Sequence, residues 1–96
     1  MINLPERVIA DLRRIAGEYG VRRLALFGSR ARGTHRPKSD IDLAVWGCER
    51  FPSFALDVDE KVWTLLPFDV VNMDDGLLPE LADEIERDAV TIYEKV

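Results

Sequence analysis

Two aspartates one residue apart, Asp40 and Asp42, follow four bases with no acid among them: Arg30, Arg32, Arg36 and Lys38. In an extended chain, residues i and i+2 project from one face with Cα atoms about 7 Å apart, so both carboxylates point one way. Ile41 and Leu43 then point the other way, toward a core. Two carboxylates held together resist joint ionisation unless a cation joins them. Carboxylate oxygen is the donor that Mg2+ or Mn2+ prefers. The plainer reading of a bare D-x-D is a turn acid after Ser39 and an exposed strand acid two residues on. A third acid, Asp69, stands inside the apolar segment PFDVVN, where burial is costly unless the group is paired or liganded. Were its strand beside that of Asp42, three carboxylates could hold two ions about 3.5–4 Å apart, as phosphoryl-type transfer uses them. On an edge strand Asp69 would simply face water.

Gly28-Ser29 precedes this group. Glycine allows a sharp turn and a close ligand approach. Serine beside it could cap a short helix whose free N–H groups suit a phosphate. Arg30 and Arg32 could add charge-assisted hydrogen bonds to phosphate oxygens, and Gly33 would end the helical turn. Alone, glycine followed by serine is an ordinary turn. Together with ten intervening residues and Asp40-x-Asp42, it reads as a basic loop gripping a triphosphate and acids holding the metals that bridge it to an attacking hydroxyl.

The elements that must position these groups are legible from periodicity. Asn3, Pro5 and Glu6 form a helix start, and Leu4, Val8, Ile9, Leu12, Ile15, Ala16 and Tyr19 recur at helical spacing up to Gly20. RRLALF (22–27) and IDLAVW (41–46) read as strands. Ser53 could cap a second long helix with Phe54, Val58, Val62 and Leu65 as its stripe. FDVVNM (68–73) reads as a third strand, Asp74 to Gly76 as a turn, and Pro79 as the start of a last helix with Leu81, Ala82, Ile85 and Ala89 inward. TIYEK predicts a short edge strand. The expected fold is two-layer α+β: a small mixed β-sheet with helices mainly on one face, residues 1–96 forming a single domain.

Bulk properties bound the partners. The 96 residues carry a net charge of −5, with 47% hydrophobic and 32% charged residues, which is the balance of a globular domain. Six bases and no acid lie in residues 21–39, whereas from Asp40 onward fifteen acids face four bases. Such a chain is a poor non-specific ligand for nucleic acid, so direct nucleic-acid binding is not expected, and one basic segment suits a small anion. No apolar run approaches the roughly 20 residues of a membrane helix. One cysteine, Cys48, permits no internal disulfide, and a cytoplasmic setting is expected.

FGSRARGTHRPKSDIDLAV (27–45) closely resembles the active-site signature of the polymerase-beta-like nucleotidyltransferase superfamily. The short chain looks like its minimal nucleotidyltransferases, the antitoxin partners of HEPN-domain toxins. The resemblance implies that Gly28 and Ser29, with Arg30 beside them, contact the phosphates of a nucleoside triphosphate, ATP. It implies that Asp40 and Asp42 hold two Mg2+ ions (Mn2+ being the alternative), and that Asp69 completes the ion nearest the acceptor hydroxyl. It further implies transfer of AMP to a tyrosine of the toxin. Larger members bind the acceptor with a C-terminal helical domain. Here about twenty residues follow Gly76, so a partner protein or a second copy of the chain, a homo-oligomer, is expected to supply that function.

Two rival classes stay open. The same fold could neutralise a partner by covering it, without catalysis; the intact acids favour the enzyme. The D-x-D of sugar-nucleotide glycosyltransferases also binds a divalent ion, but this length leaves no second substrate pocket. A Walker-type ATPase is excluded, since G-x-x-x-x-G-K-[ST] does not occur. His35 reads as an exposed loop residue, and Phe54, Trp46 and Trp63 as core, with Trp63 and Leu56 alternatively forming a partner patch.

Overall fold

The computed structural model describes residues 4–96. Its elements run α1 (Glu6–Glu18), β1 (Arg23–Phe27), α2 (Gly28–Arg32), β2 (Ile41–Trp46), α3 (Phe51–Lys61), β3 (Phe68–Asn72), α4 (Pro79–Asp88) and β4 (Val90–Glu94). The proposed Asn3 cap lies outside the described residues. Pro5 occupies the N-cap position of α1, and Glu6 sits in the first turn, where a carboxylate suits the positive helix end.

The four strands form one sheet in the order β3-β2-β1-β4. β1 pairs antiparallel with both β2 and β4, and β2 pairs parallel with β3. A parallel neighbour needs a crossover, which α3 provides. The mixed α+β architecture expected from the sequence is therefore present.

Alternation along the strands divides the two faces. Leu24, Leu26, Ile41, Leu43, Val45 and Ile92 turn to one side and pack with Val8, Leu12, Ile15 and Ala16 of α1 and with Phe54 and Val58 of α3. This is the main core, and its strand residues are buried in full or nearly so. The reverse face carries Arg23, Ala25 and Phe27 of β1, Asp42, Ala44 and Trp46 of β2, and Asp69 and Val71 of β3. Helix α4 lies on this reverse side against β1 and α2, with Ile85 buried. Arg23 fixes it there: its guanidinium reaches Glu86 at 2.9 Å and Thr91 Oγ1 at 3.1 Å, and lies 4.3 Å from the Trp46 ring centroid. The register of β4 shifts opposite Leu24 and Ala25, leaving Ile92 between pairs, and the Ile92 carbonyl accepts from Arg13 Nε at 2.9 Å.

Three local expectations are corrected. Ser53 does not cap α3: the helix begins two residues earlier, with Arg50 at the N-cap position and Pro52 in the first turn, where a missing N–H costs nothing. Leu65 is not on the α3 stripe. The helix stops at Lys61, Val62 turns extended with ψ 131°, and the helical phase is lost, so Leu65 is fully exposed. Trp63, read as core, is 73% exposed for the same reason and stands with exposed Leu56 and Leu65 outside the core. Phe54 is buried as expected, and Trp46 is half-buried. No helix among the described residues is long and apolar enough to cross a membrane.

Candidate active site

Strand β1 delivers the chain to Gly28, where φ is +74°, a value L side chains avoid. The turn is tight for a second reason. A Cβ at Gly28 would overlap Asp42 Oδ2 and lie 3.2 Å from Asp42 Cγ. Glycine at this position lets the backbone at the head of α2 lie against the Asp42 carboxylate.

Ser29 lies inside α2 rather than before it. The N-cap position is Phe27, extended at φ −134° and ψ −174°, and no side chain caps the helix. The expected serine cap is thus corrected, because the helix starts one residue earlier, at the glycine. Gly33, at φ +79°, ends the turn as expected.

The carboxylates come from two strands and a loop. Asp42 is the register partner of Phe27 on one side and of Asp69 on the other. In a parallel pair, register partners project from the same face, so Asp42 and Asp69 stand side by side on the reverse face. Asp40 immediately precedes β2. Asp42 is partly buried, whereas Asp40 and Asp69 are exposed. Burial first, then the negative charges of Asp69 and Asp40, push the Asp42 pKa above the ordinary carboxylate value, with Arg32 and Arg30 opposing. Among the described residues, no three His, Cys, Asp or Glu side chains are gathered into a ready cation site. The donors are nevertheless of the kind a divalent ion takes. All are oxygen donors, the type that hard divalent ions such as Mg2+ or Mn2+ take.

The basic segment divides its labour. Arg30 is buried, and its guanidinium donates to the Ser39 and Pro37 carbonyls. Arg32, half exposed, reaches Asp88 Oδ2 of α4 at 2.8 Å. Phe27, Arg32, Leu81, Glu84, Ile85 and Asp88 line a small cleft of about 130 Å³ beside the Gly28 turn. Arg36 and Lys38 are exposed on the loop. His35, read as an exposed loop residue, is half-buried and its Nδ1 has no hydrogen-bond partner. Two site neighbours escaped the sequence reading. The Ser39 carbonyl is a backbone group without a side-chain signal, and Asp88 looks like any acid on a solvated helix face.

Known proteins share this fold. The polymerase beta nucleotidyltransferase family model matches residues 11–96. No curated protein is a significant match to the chain. Among solved structures, one assigned as a minimal nucleotidyltransferase is 28% identical, with TM-score 0.68, over 85% of this chain and 86% of that one. A toxin–antitoxin complex with AMP-PNP shares the fold at 17% identity and TM-score 0.70, over 91% of this chain and 73% of that one. A variant of the MntA–HpeT toxin–antitoxin pair does so at 15% identity and TM-score 0.68, with the same coverages. A family match over almost the whole chain, on a fold that sets Gly28 against Asp42 and Asp42 beside Asp69, leads to one conclusion: the chain belongs to the polymerase beta nucleotidyltransferase family.

Proposed function

We propose that the protein transfers AMP from ATP to a tyrosine hydroxyl of a HEPN-type toxin and acts as that toxin's antitoxin in the cytoplasm. The observation that carries the reading is the pairing of Asp42 with Asp69 across parallel strands, with Gly28 against the Asp42 carboxylate. The toxin–antitoxin neighbours, one crystallised with AMP-PNP, supply the partner and nucleotide class. Asp40 and Asp42 would hold Mg2+, and Asp69 would complete the site on the acceptor side. When bound, the ions neutralise charge on the reacting phosphate and lower the pKa of the acceptor hydroxyl.

The chain's own residues do the rest. Gly28 and Ser29 offer backbone N–H groups to the phosphates, and Arg32 leaves Asp88 to add a guanidinium, a charge-assisted contact stronger than a neutral one. Asp69, exposed on the edge strand, orients the acceptor hydroxyl and takes its proton. The acceptor oxygen bonds to the α-phosphorus as the bond to the pyrophosphate oxygen breaks.

Incubation with the cognate toxin, labelled ATP and Mg2+ tests this. Label on the toxin, lost with an Asp40→Ala, Asp42→Ala double variant, is the expected result. Exposed Trp63 and Leu65, which line one shallow cleft, favour a second reading, neutralisation by contact alone. Full neutralisation by the double variant would establish that reading instead.

A further inference from the structure

Arg30 is 5% exposed, on a helix only five residues long whose other arginine faces solvent. A cation taken out of water is costly unless hydrogen bonds replace its hydration. Its Nε donates to Ser39 O at 3.2 Å, and NH2 donates to Ser39 O at 3.0 Å and to Pro37 O at 3.2 Å. The Ser39 carbonyl belongs to the peptide bond that leads into Asp40.

The loop under this clamp is otherwise held by local contacts. The Arg36 N–H donates to Ser39 Oγ at 2.8 Å, and the Ser39 N–H donates to Arg36 O at 3.0 Å. Thr34 N–H reaches back to Ser29 O at 2.9 Å, at the entrance of the loop. On the far side of Asp40, Ile41 N–H donates to Pro67 O at 2.9 Å, next to the strand that carries Asp69. Asp40 therefore hangs between two fixed peptides: one belongs to the sheet, the other is gripped by Arg30. A planar guanidinium can serve two carbonyls from one fork, which a single ammonium does not reproduce.

We infer that Arg30 is the positioning residue of the carboxylate site, clamping the Pro37–Ser39 turn so that Asp40 stands at a fixed place beside Asp42. Its role is exerted through the loop backbone, not through contact with the nucleotide phosphates. The inference rests on the proposed reading of Asp40 and Asp42 as metal ligands.

The test is Mn2+ titration followed by electron paramagnetic resonance, with amide hydrogen exchange, on the wild type, Arg30→Lys and Arg30→Ala. All are measured at a temperature where circular dichroism shows them folded. Residues that orient metal ligands are worth roughly 10- to 100-fold in affinity, and a loss of that size is expected in both variants. The Ser39 amide should exchange faster while the amides of β1 keep their protection. Methylguanidinium added to Arg30→Ala should restore Mn2+ binding. Should Arg30→Ala fail to fold, Arg30→Lys carries the comparison, since it retains the buried charge. Folded variants that bind Mn2+ as the wild type does would overturn the positioning role alone. A wild type that binds no Mn2+ would overturn the metal reading of the carboxylates, and the positioning role with it.

Discussion

Replacing Asp42 with asparagine should make the metal-free protein more stable at neutral pH. The Asp42 pKa is raised, chiefly by burial and then by Asp69 and Asp40. A carboxyl whose folded-state pKa exceeds its unfolded value holds its proton more tightly when folded. It therefore favours the fold below the unfolded pKa, and that contribution is lost as pH rises through the folded pKa. The share due to Asp69 follows from the sheet. Register partners on adjacent strands are separated by about 5 Å, at which two charges repel by roughly 0.8–3 kcal/mol between water-like and surface-protein dielectrics. Asp69 is exposed, which puts the value near the low end, about 1 kcal/mol. In a domain of this size that is about 4–8 °C in Tm. The assay is thermal unfolding of the wild type, Asp42→Asn, Asp69→Asn and the double variant in EDTA from pH 3 to 8. The gain in Asp42→Asn should be full at pH 7 and fade as acid protonates the wild-type carboxylate in both states. The two single gains should not add, because each removes the same repulsion. Addition of Mn2+ should raise the wild-type Tm and leave the double variant unmoved. An Asp42→Asn protein less stable than wild type at pH 7, or a gain that persists at pH 3, would refute the reasoning.

Other perturbations have defined outcomes. Gly28→Ala should cost about 1–3 kcal/mol from the left-handed backbone alone and displace Asp42, so chemical denaturation and Mn2+ titration should both register the change. Leu43, wholly buried in the centre of β2, should cost about 2–5 kcal/mol when cut to alanine, with a lower urea midpoint and an unchanged m-value. Tyr19 Oη donates to Asp57 Oδ2 at 2.6 Å, and that bond, followed by Lys61, holds the Asp57 pKa below its usual value. Tyr19→Phe should therefore raise the Asp57 pKa in a carbon-detected NMR titration. The wild-type contact, present above the unfolded carboxyl pKa, should be lost as pH falls through the folded one.

What the sequence disclosed depended on whether a signal was periodic. The strands carrying Leu24, Leu43 and Val70 are readable as short apolar runs bounded by Gly28, Gly47 and Pro67, and α1 because its stripe is continuous. The pairing of Asp42 with Asp69 was posed only as a condition, since two segments joined by a crossover helix declare no register until a sheet selects it. Helix starts fared worst. Ser29 and Ser53 have the right chemistry for caps, yet each lies inside its helix, because Gly28 and Pro52 let the turn begin earlier. Arg30 was read by its charge as a phosphate ligand. The Ser39 and Pro37 carbonyls that it grips are groups every residue possesses and no sequence marks.

The position of β4 has a consequence for how the molecule comes together. The inner strand β1 gains its second neighbour only from residues 90–94, some seventy positions further along the chain. Closing so long a loop has an entropic cost that must be met before the contact repays it, and topologies rich in such distant pairings fold slowly. Until that last segment docks, one side of β1 presents bare amide and carbonyl groups, the template on which chains mispair. Arg13 gripping the Ile92 carbonyl joins the first helix to the last strand. That contact adds a second tie between early and late segments, beside the ladder that β4 forms with β1.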